Sequence, residues 1–139
     1  MDDSYPPRLK VNPQQTQEGY PSVLDGYWTD EGSEITQTVK GNEIRAHVNF
    51  KASEGYLEGT AKIVVRRDIS LWSDEDYVTK TESIDISKDE TYDLWIDWTP
   101  QKATGEDGTN GYHLEFWWNG EKKWTMDDSY PPRLKVESS

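Results

Sequence analysis

Three seven-residue runs fix the class of structure this chain can form. In 44–50, Ile44, Ala46, Val48 and Phe50 alternate with Arg45, His47 and Asn49. In 92–98, Tyr92, Leu94, Ile96 and Trp98 alternate with Asp93, Trp95 and Asp97. In 112–118, Tyr112, Leu114, Phe116 and Trp118 alternate with His113, Glu115 and Trp117. A period of two puts one set of side chains on a buried face of a β-strand and the other set on its outer face. On a helix the same apolar residues would scatter around the axis and bury nothing together. Each run therefore reads as a half-buried strand.

The rest of the chain repeats the pattern more weakly. Residues 56–72 form a longer strand region, with Ala61, Ile63 and Val65 alternating against Lys62, Val64 and Arg66. Residues 82–87 give a short strand with Ile84 and Ile86 inward, and 34–43 hold another before a Lys40-Gly41-Asn42 turn. Asn119-Gly120 is a strong hairpin signal. The acidic stretch 73–77 reads as a turn, 99–111 as a loop, and 12–26 as polar and turn-rich apart from Val23 and Leu24. Roughly seven to nine strands spaced by turn residues predict an all-β antiparallel sandwich, with a closed barrel as its rival. Seven Trp and eight Tyr beside two Phe mean that a few large rings must fill the core. Trp28, Trp72 and Trp124 fall at strand ends, where they would plug the open edges.

Trp98, Pro100, Gly111, Tyr112, Leu114 and Phe116 together resemble the immunoglobulin-like β-sandwich repeats of prokaryotic surface proteins, of the cell-adhesion-related domain type. The resemblance implies an immunoglobulin-like sandwich in a secreted, extracellular or cell-surface protein with an adhesive role. It also implies that Tyr112 is a tyrosine-corner residue. It brings no fixed ligand and no catalytic set.

The residues 1–11 and 126–136 are spelled identically, MDDSYPPRLKV. Each copy reads as a turn, an extended Pro-Pro stretch and a short edge strand, because proline is disfavoured inside a paired strand. The assembly residues would be Tyr5, Pro6, Pro7, Leu9 and Val11 in the first copy and Tyr130, Pro131, Pro132, Leu134 and Val136 in the second, with the Leu and Val inward. The expected organisation is a duplicated edge or donor strand at 1–11, one sandwich domain at 12–136, and a tail at 137–139. One sandwich has room for one copy, so the other is spare or donated. A tandem-array boundary, strand exchange between identical subunits, and a duplication introduced by design all account for it. The first two make the segment a joint between like units, covalent or not. The predicted partners are identical subunits or adjacent tandem repeats.

The chemistry-bearing residues point away from catalysis. Fifteen basic against 27 acidic residues give a net charge of −12, which disfavours nucleic acid. No apolar run is long enough for a membrane-spanning helix, and no membrane insertion is expected. Without cysteine there is no disulfide, thiolate site or thiol nucleophile. No nucleophile elbow or phosphate loop occurs. His47 and His113 fall at outward strand positions and are expected at solvent. No cofactor is expected beyond the one ion the sequence leaves open, calcium, with Asp74, Asp76, Asp107 and Asn110 as oxygen donors. Trp95 and Trp117 break the apolar phase and project from polar faces, where such rings either stack sugars of a polysaccharide or pack under a neighbour.

Overall fold

The computed structural model of the protein describes residues 17–70 and 74–139. Ten strands follow in chain order: β1 Tyr20–Asp30, β2 Ser33–Ile35, β3 Gln37–Val39, β4 Ile44–Ser53, β5 Leu57–Ile69, β6 Glu75–Ile86, β7 Thr91–Trp98, β8 Thr109–Trp118, β9 Glu121–Thr125 and β10 Lys135–Glu137. A 3-10 turn, Glu106–Gly108, precedes β8. The strands form two four-stranded antiparallel sheets, ordered β2-β1-β4-β7 and β6-β5-β8-β9, and a small parallel pair, β10-β3. The sheets are separate among the described residues, which makes the fold a sandwich rather than a closed barrel. The β1-β4-β7 and β5-β8-β9 neighbours reproduce an immunoglobulin-like Greek key, with β6 paired to β5 instead of β7.

The alternating runs explain the layers. Ala46, Val48, Phe50 and Leu94 of one sheet meet Ala61, Ile63, Val65, Leu114 and Phe116 of the other, all fully buried. Alanines leave room for rings, and two aromatic groups fill the space. Phe50 packs on Phe116 at 4.8 Å and on Trp118 at 6.4 Å. At the other end Tyr112, Trp98, Tyr77 and Trp28 form a second group, with Trp98–Tyr112 at 5.0 Å and Trp28–Trp98 at 5.7 Å. Such ring pairs add about 0.5–1.5 kcal/mol each beyond area burial. Tyr112 Oη donates to the Lys102 carbonyl at 2.8 Å, tying the β7–β8 loop to the start of β8 as a tyrosine corner does. Burial holds its phenol pKa well above the ordinary value.

Four readings of the sequence change. Residues 20–30 form the long strand β1, whose alternation is broken by a bulge at Leu24, so its phase was hidden. The acidic stretch from Glu75 onward extends β6 rather than turning, because Arg66 and Arg67 of β5 pair with Asp76 and Glu75 across the ladder. His47 and His113 stand on outer faces but are 8% and 6% exposed, each covered by a carboxylate partner and its neighbours. Trp28 is a core residue at 1% exposure, while the Trp124 ring lies against Gly26. Trp72 is outside the described residues.

Candidate functional site

The second copy of the repeat is built into its own sandwich. Met126, Leu134 and Val136 are 3%, 0% and 1% exposed and belong to the core. Most of the segment is not extended: the Tyr130–Pro131 and Pro131–Pro132 peptide bonds are cis, and residues 130–132 form a turn. Beyond the turn the segment docks residue by residue. Trp28 Nε1 donates to the Pro132 carbonyl at 2.9 Å. Leu134 and Tyr112 exchange backbone hydrogen bonds at 2.8 and 3.1 Å. Val136 lies in register with Thr38, receives Thr104 N–H on its carbonyl at 2.8 Å, and donates its own N–H to Thr104 Oγ1 at 3.0 Å. Gly111, at φ +142°, makes the approach possible: a Cβ there would lie 2.6 Å from Tyr130 Oη and 2.8 Å from the Leu134 carbonyl oxygen. Tyr130 stays 41% exposed, with the Arg133 guanidinium 4.3 Å over its ring. This latch closes the end of the sandwich formed by Trp28, β3, the β7–β8 loop and the start of β8. Tyr5, Pro6, Pro7, Leu9 and Val11 lie outside the described residues.

Electrostatics reinforce the latch on the outer face of β5 and β8. Arg133 Nη1 approaches Asp68 at 3.6 Å and Asp128 at 3.7 Å. Asp68, 4% exposed, also meets His113 Nδ1 at 2.5 Å. Burial opposes the positive charge on His113, but the hydrogen bond and charge of Asp68, backed by Glu115 and Asp74, outweigh it and raise its pKa. Glu115, also buried, takes a hydrogen bond from Trp117 Nε1 at 3.0 Å and lies 3.5 Å from Lys122 and 3.6 Å from Arg66. These cross-strand pairs were invisible in the sequence, because β5–β8 register alone brings Asp68 beside His113.

The four proposed calcium donors do not form one ligand set. Asp74 joins Asp68 and His113, with ligand atoms within 4.8 Å of one another, and its Oδ1 accepts Ile69 N–H at 3.1 Å. Asp76 pairs with Arg66, and Asp107 with Lys102. Asn110 Oδ1 accepts the Ser70 hydroxyl at 2.8 Å. Loop connectivity thus gives each donor a separate cation or hydrogen-bond donor.

Trp95 and Trp117 stand on opposite outer faces of the sandwich and cannot share one stacking platform. Trp95 pairs in register with His47 in the first sheet, and Trp117 with Lys62 in the second. Alternation gave both the same phase but could not say which sheet each strand joins. Lys62 Nζ lies 4.6 Å over the Trp117 ring. Arg45 and Lys80 lie 3.7 and 4.4 Å over the Trp95 ring.

The first sheet's outer face is ordered by register into three rows across β1, β4 and β7. Tyr27, His47 and Trp95 form the middle row; Asp25, Asn49 and Asp93 flank it on one side, and Thr29, Arg45 and Asp97 on the other. The Tyr27 and His47 rings stack at 4.6 Å and 6°. His47 Nδ1 meets Asp93 at 3.0 Å and Nε2 pairs with the Thr29 hydroxyl at 2.8 Å. Arg45 donates to both Asp97 oxygens at 2.8 and 3.3 Å. Asn49 donates to Tyr27 Oη at 3.3 Å, while its Oδ1 has no partner among the described residues. Over β1 and β4 these rows floor an open groove of about 930 Å³, walled by the Asp30–Glu34 turn and by Asn42 and Glu43.

No protein-family model and no curated protein matches the chain. Among solved structures it is similar to part of the β-glucosidase EmGH1 from Erythrobacter marinus, at 10% identity and a TM-score of 0.54. The likeness covers 85% of this chain and 15% of that one. At such identity it concerns the sandwich fold alone.

Proposed function

We propose that the chain is a structural, non-catalytic module of a surface assembly that joins like units end to end through its duplicated segment. The supporting observation is polarity. The latch slot lies beyond Trp28 at one end of the sandwich, whereas the first copy is tethered at the other end, where the Gln17 carbonyl accepts Tyr56 N–H. From Tyr20 to Trp28 strand β1 spans about 26 Å at ~3.3 Å per residue. Residues 12–16, fully extended between Val11 and Gln17, reach about 21 Å. A copy on such a tether would fall short of its own molecule's slot, which favours the slot of a neighbour.

Such a contact is heterologous, with donor at one end and acceptor at the other, so units add head to tail, into a ring where the rotation between them closes and into an open filament where it does not. The internal latch sets its threshold. Both copies make the same contacts, so exchange is decided by concentration, and a directly tethered segment competes at an effective concentration on the order of millimolar. Linkage belongs to densely packed units, as on a surface.

Light scattering over a range from about 10 µM to a few millimolar, bracketing that threshold, tests the reading. The full chain grows in mass toward the top of the range, and a chain lacking residues 1–11 stays monomeric with an unchanged melt. A full chain that remains monomeric throughout, or a shortened one that assembles equally, defeats it.

A further inference from the structure

The proposed linkage uses the two ends of the sandwich and leaves the three-row outer face of β1, β4 and β7 unused. The geometry points to the groove on that face as a binding site for a non-acidic polysaccharide.

Three features carry the assignment. First, the floor is preorganised. Tyr27, His47, Thr29, Arg45 and Asp97 are each held by a partner on the adjacent strand, so a ligand meets fixed donors and acceptors and does not have to order them. Second, the chemistry is mixed in the way sugars require. The half-buried Tyr27 ring, stacked on His47, offers apolar surface to C–H faces, and the flanking rows offer hydroxyl, amide, guanidinium and carboxylate groups to hydroxyls. Trp95 contributes by positioning Arg45, which lies over its ring. Third, charge selects the ligand. Asp25, Asp30, Glu31, Glu34, Glu43 and Asp97 line the groove against Arg45, the one lysine or arginine among its described lining residues, which repels uronate or sulfate polymers. The groove is also open to solvent, which suits a passing chain more than an enclosed small molecule.

The test is affinity electrophoresis and calorimetry of the full chain with soluble neutral glucan, mannan and xylan, with chitosan oligosaccharides, and with polygalacturonate. At least one neutral polymer retards the protein, polygalacturonate does not, and Tyr27→Ala weakens binding at least about tenfold, the loss of a central contact being worth 1.4 kcal/mol or more. Tyr27→Phe keeps the ring and most of the affinity, and thermal melts of both variants separate lost binding from lost fold. The assignment is overturned if no neutral polymer binds, if polygalacturonate binds better, or if Trp117→Ala abolishes binding that Tyr27→Ala leaves intact. Chitosan binding alone, abolished by salt, would mean ion exchange and would overturn it too.

Discussion

Substituting Leu134 by alanine weakens the internal latch while leaving the identical donor, Leu9, untouched. Leu134 is fully buried in the core cluster, so the truncation removes transfer energy and leaves a cavity, together about 3 kcal/mol. That cost falls on the resident copy alone. At 1.4 kcal/mol per tenfold, the crossover at which a neighbour's donor displaces the latch drops roughly 150-fold. A threshold on the order of millimolar becomes one of roughly 10 µM. Sedimentation velocity on Leu134→Ala across that range should show growing oligomers where the parent chain is monomeric, and the melting temperature should rise with concentration. The paired variant Leu9→Ala with Leu134→Ala makes the copies equal again. It should melt low and stay monomeric to near the parent threshold. If folded Leu134→Ala remains monomeric at about 300 µM, some thirty times its expected crossover, exchange through the slot is wrong. Oligomers that persist in the paired variant refute it equally, because Leu9 would then contribute nothing.

Gly111→Ala should behave in the opposite way: its Cβ meets the Leu134 carbonyl at 2.8 Å and its φ is +142°, so the slot is spoiled for both copies. We expect a loss of about 2 kcal/mol or more in chemical denaturation, with no lowering of the assembly threshold. Tyr112→Phe removes the hydroxyl bond to the Lys102 carbonyl and should cost about 1 kcal/mol, a drop of roughly 3–5 °C by calorimetry. His113 holds its proton more tightly folded than unfolded, because Asp68 outweighs burial. Its contribution is therefore complete below the unfolded value of about 6.5 and is lost as pH rises through the raised folded pKa. Melts above neutral pH should decline in the parent and flatten in His113→Asn.

How much of this was legible beforehand depended on the kind of signal. Period-two alternation in 44–50, 92–98 and 112–118 marked β4, β7 and β8, and Asn119-Gly120 marked the β8–β9 hairpin. β1 escaped because its bulge at Leu24 shifts the phase midway and Gly26 supplies no side chain to the inner row. Inner and outer phase were readable, but sheet membership was not, and this separated Trp95 from Trp117. Pairings such as Asp68–His113 and Tyr27–His47 join residues 45 and 20 positions apart, through register set by the whole sheet. The repeat was plain in the spelling, yet its polarity needed the positions of Gln17 and Trp28.

Charge and edges explain why such units would join at their ends and not along their sides. A net charge of −12 makes like units repel, although at physiological salt the repulsion decays within about 8 Å. Side-by-side pairing would have to bring two exposed sheet edges inside that range. The edge strand β9 carries Glu121, Lys122 and Lys123, and the edge strand β6 exposes Glu75, Asp76 and Asp85, which is how soluble sheets discourage strand addition. An inserted segment escapes this constraint. In the proposed joint its apolar Leu and Val would take over the backbone partners that Leu134 and Val136 hold, and its arginine would meet the buried Asp68 carboxylate as Arg133 does. The donor hangs on a short tether, so most of each acidic surface can stay apart while the joint forms. In the proposed joint, attraction is thereby confined to one end of each unit and the donor to the other, so such units would add head to tail.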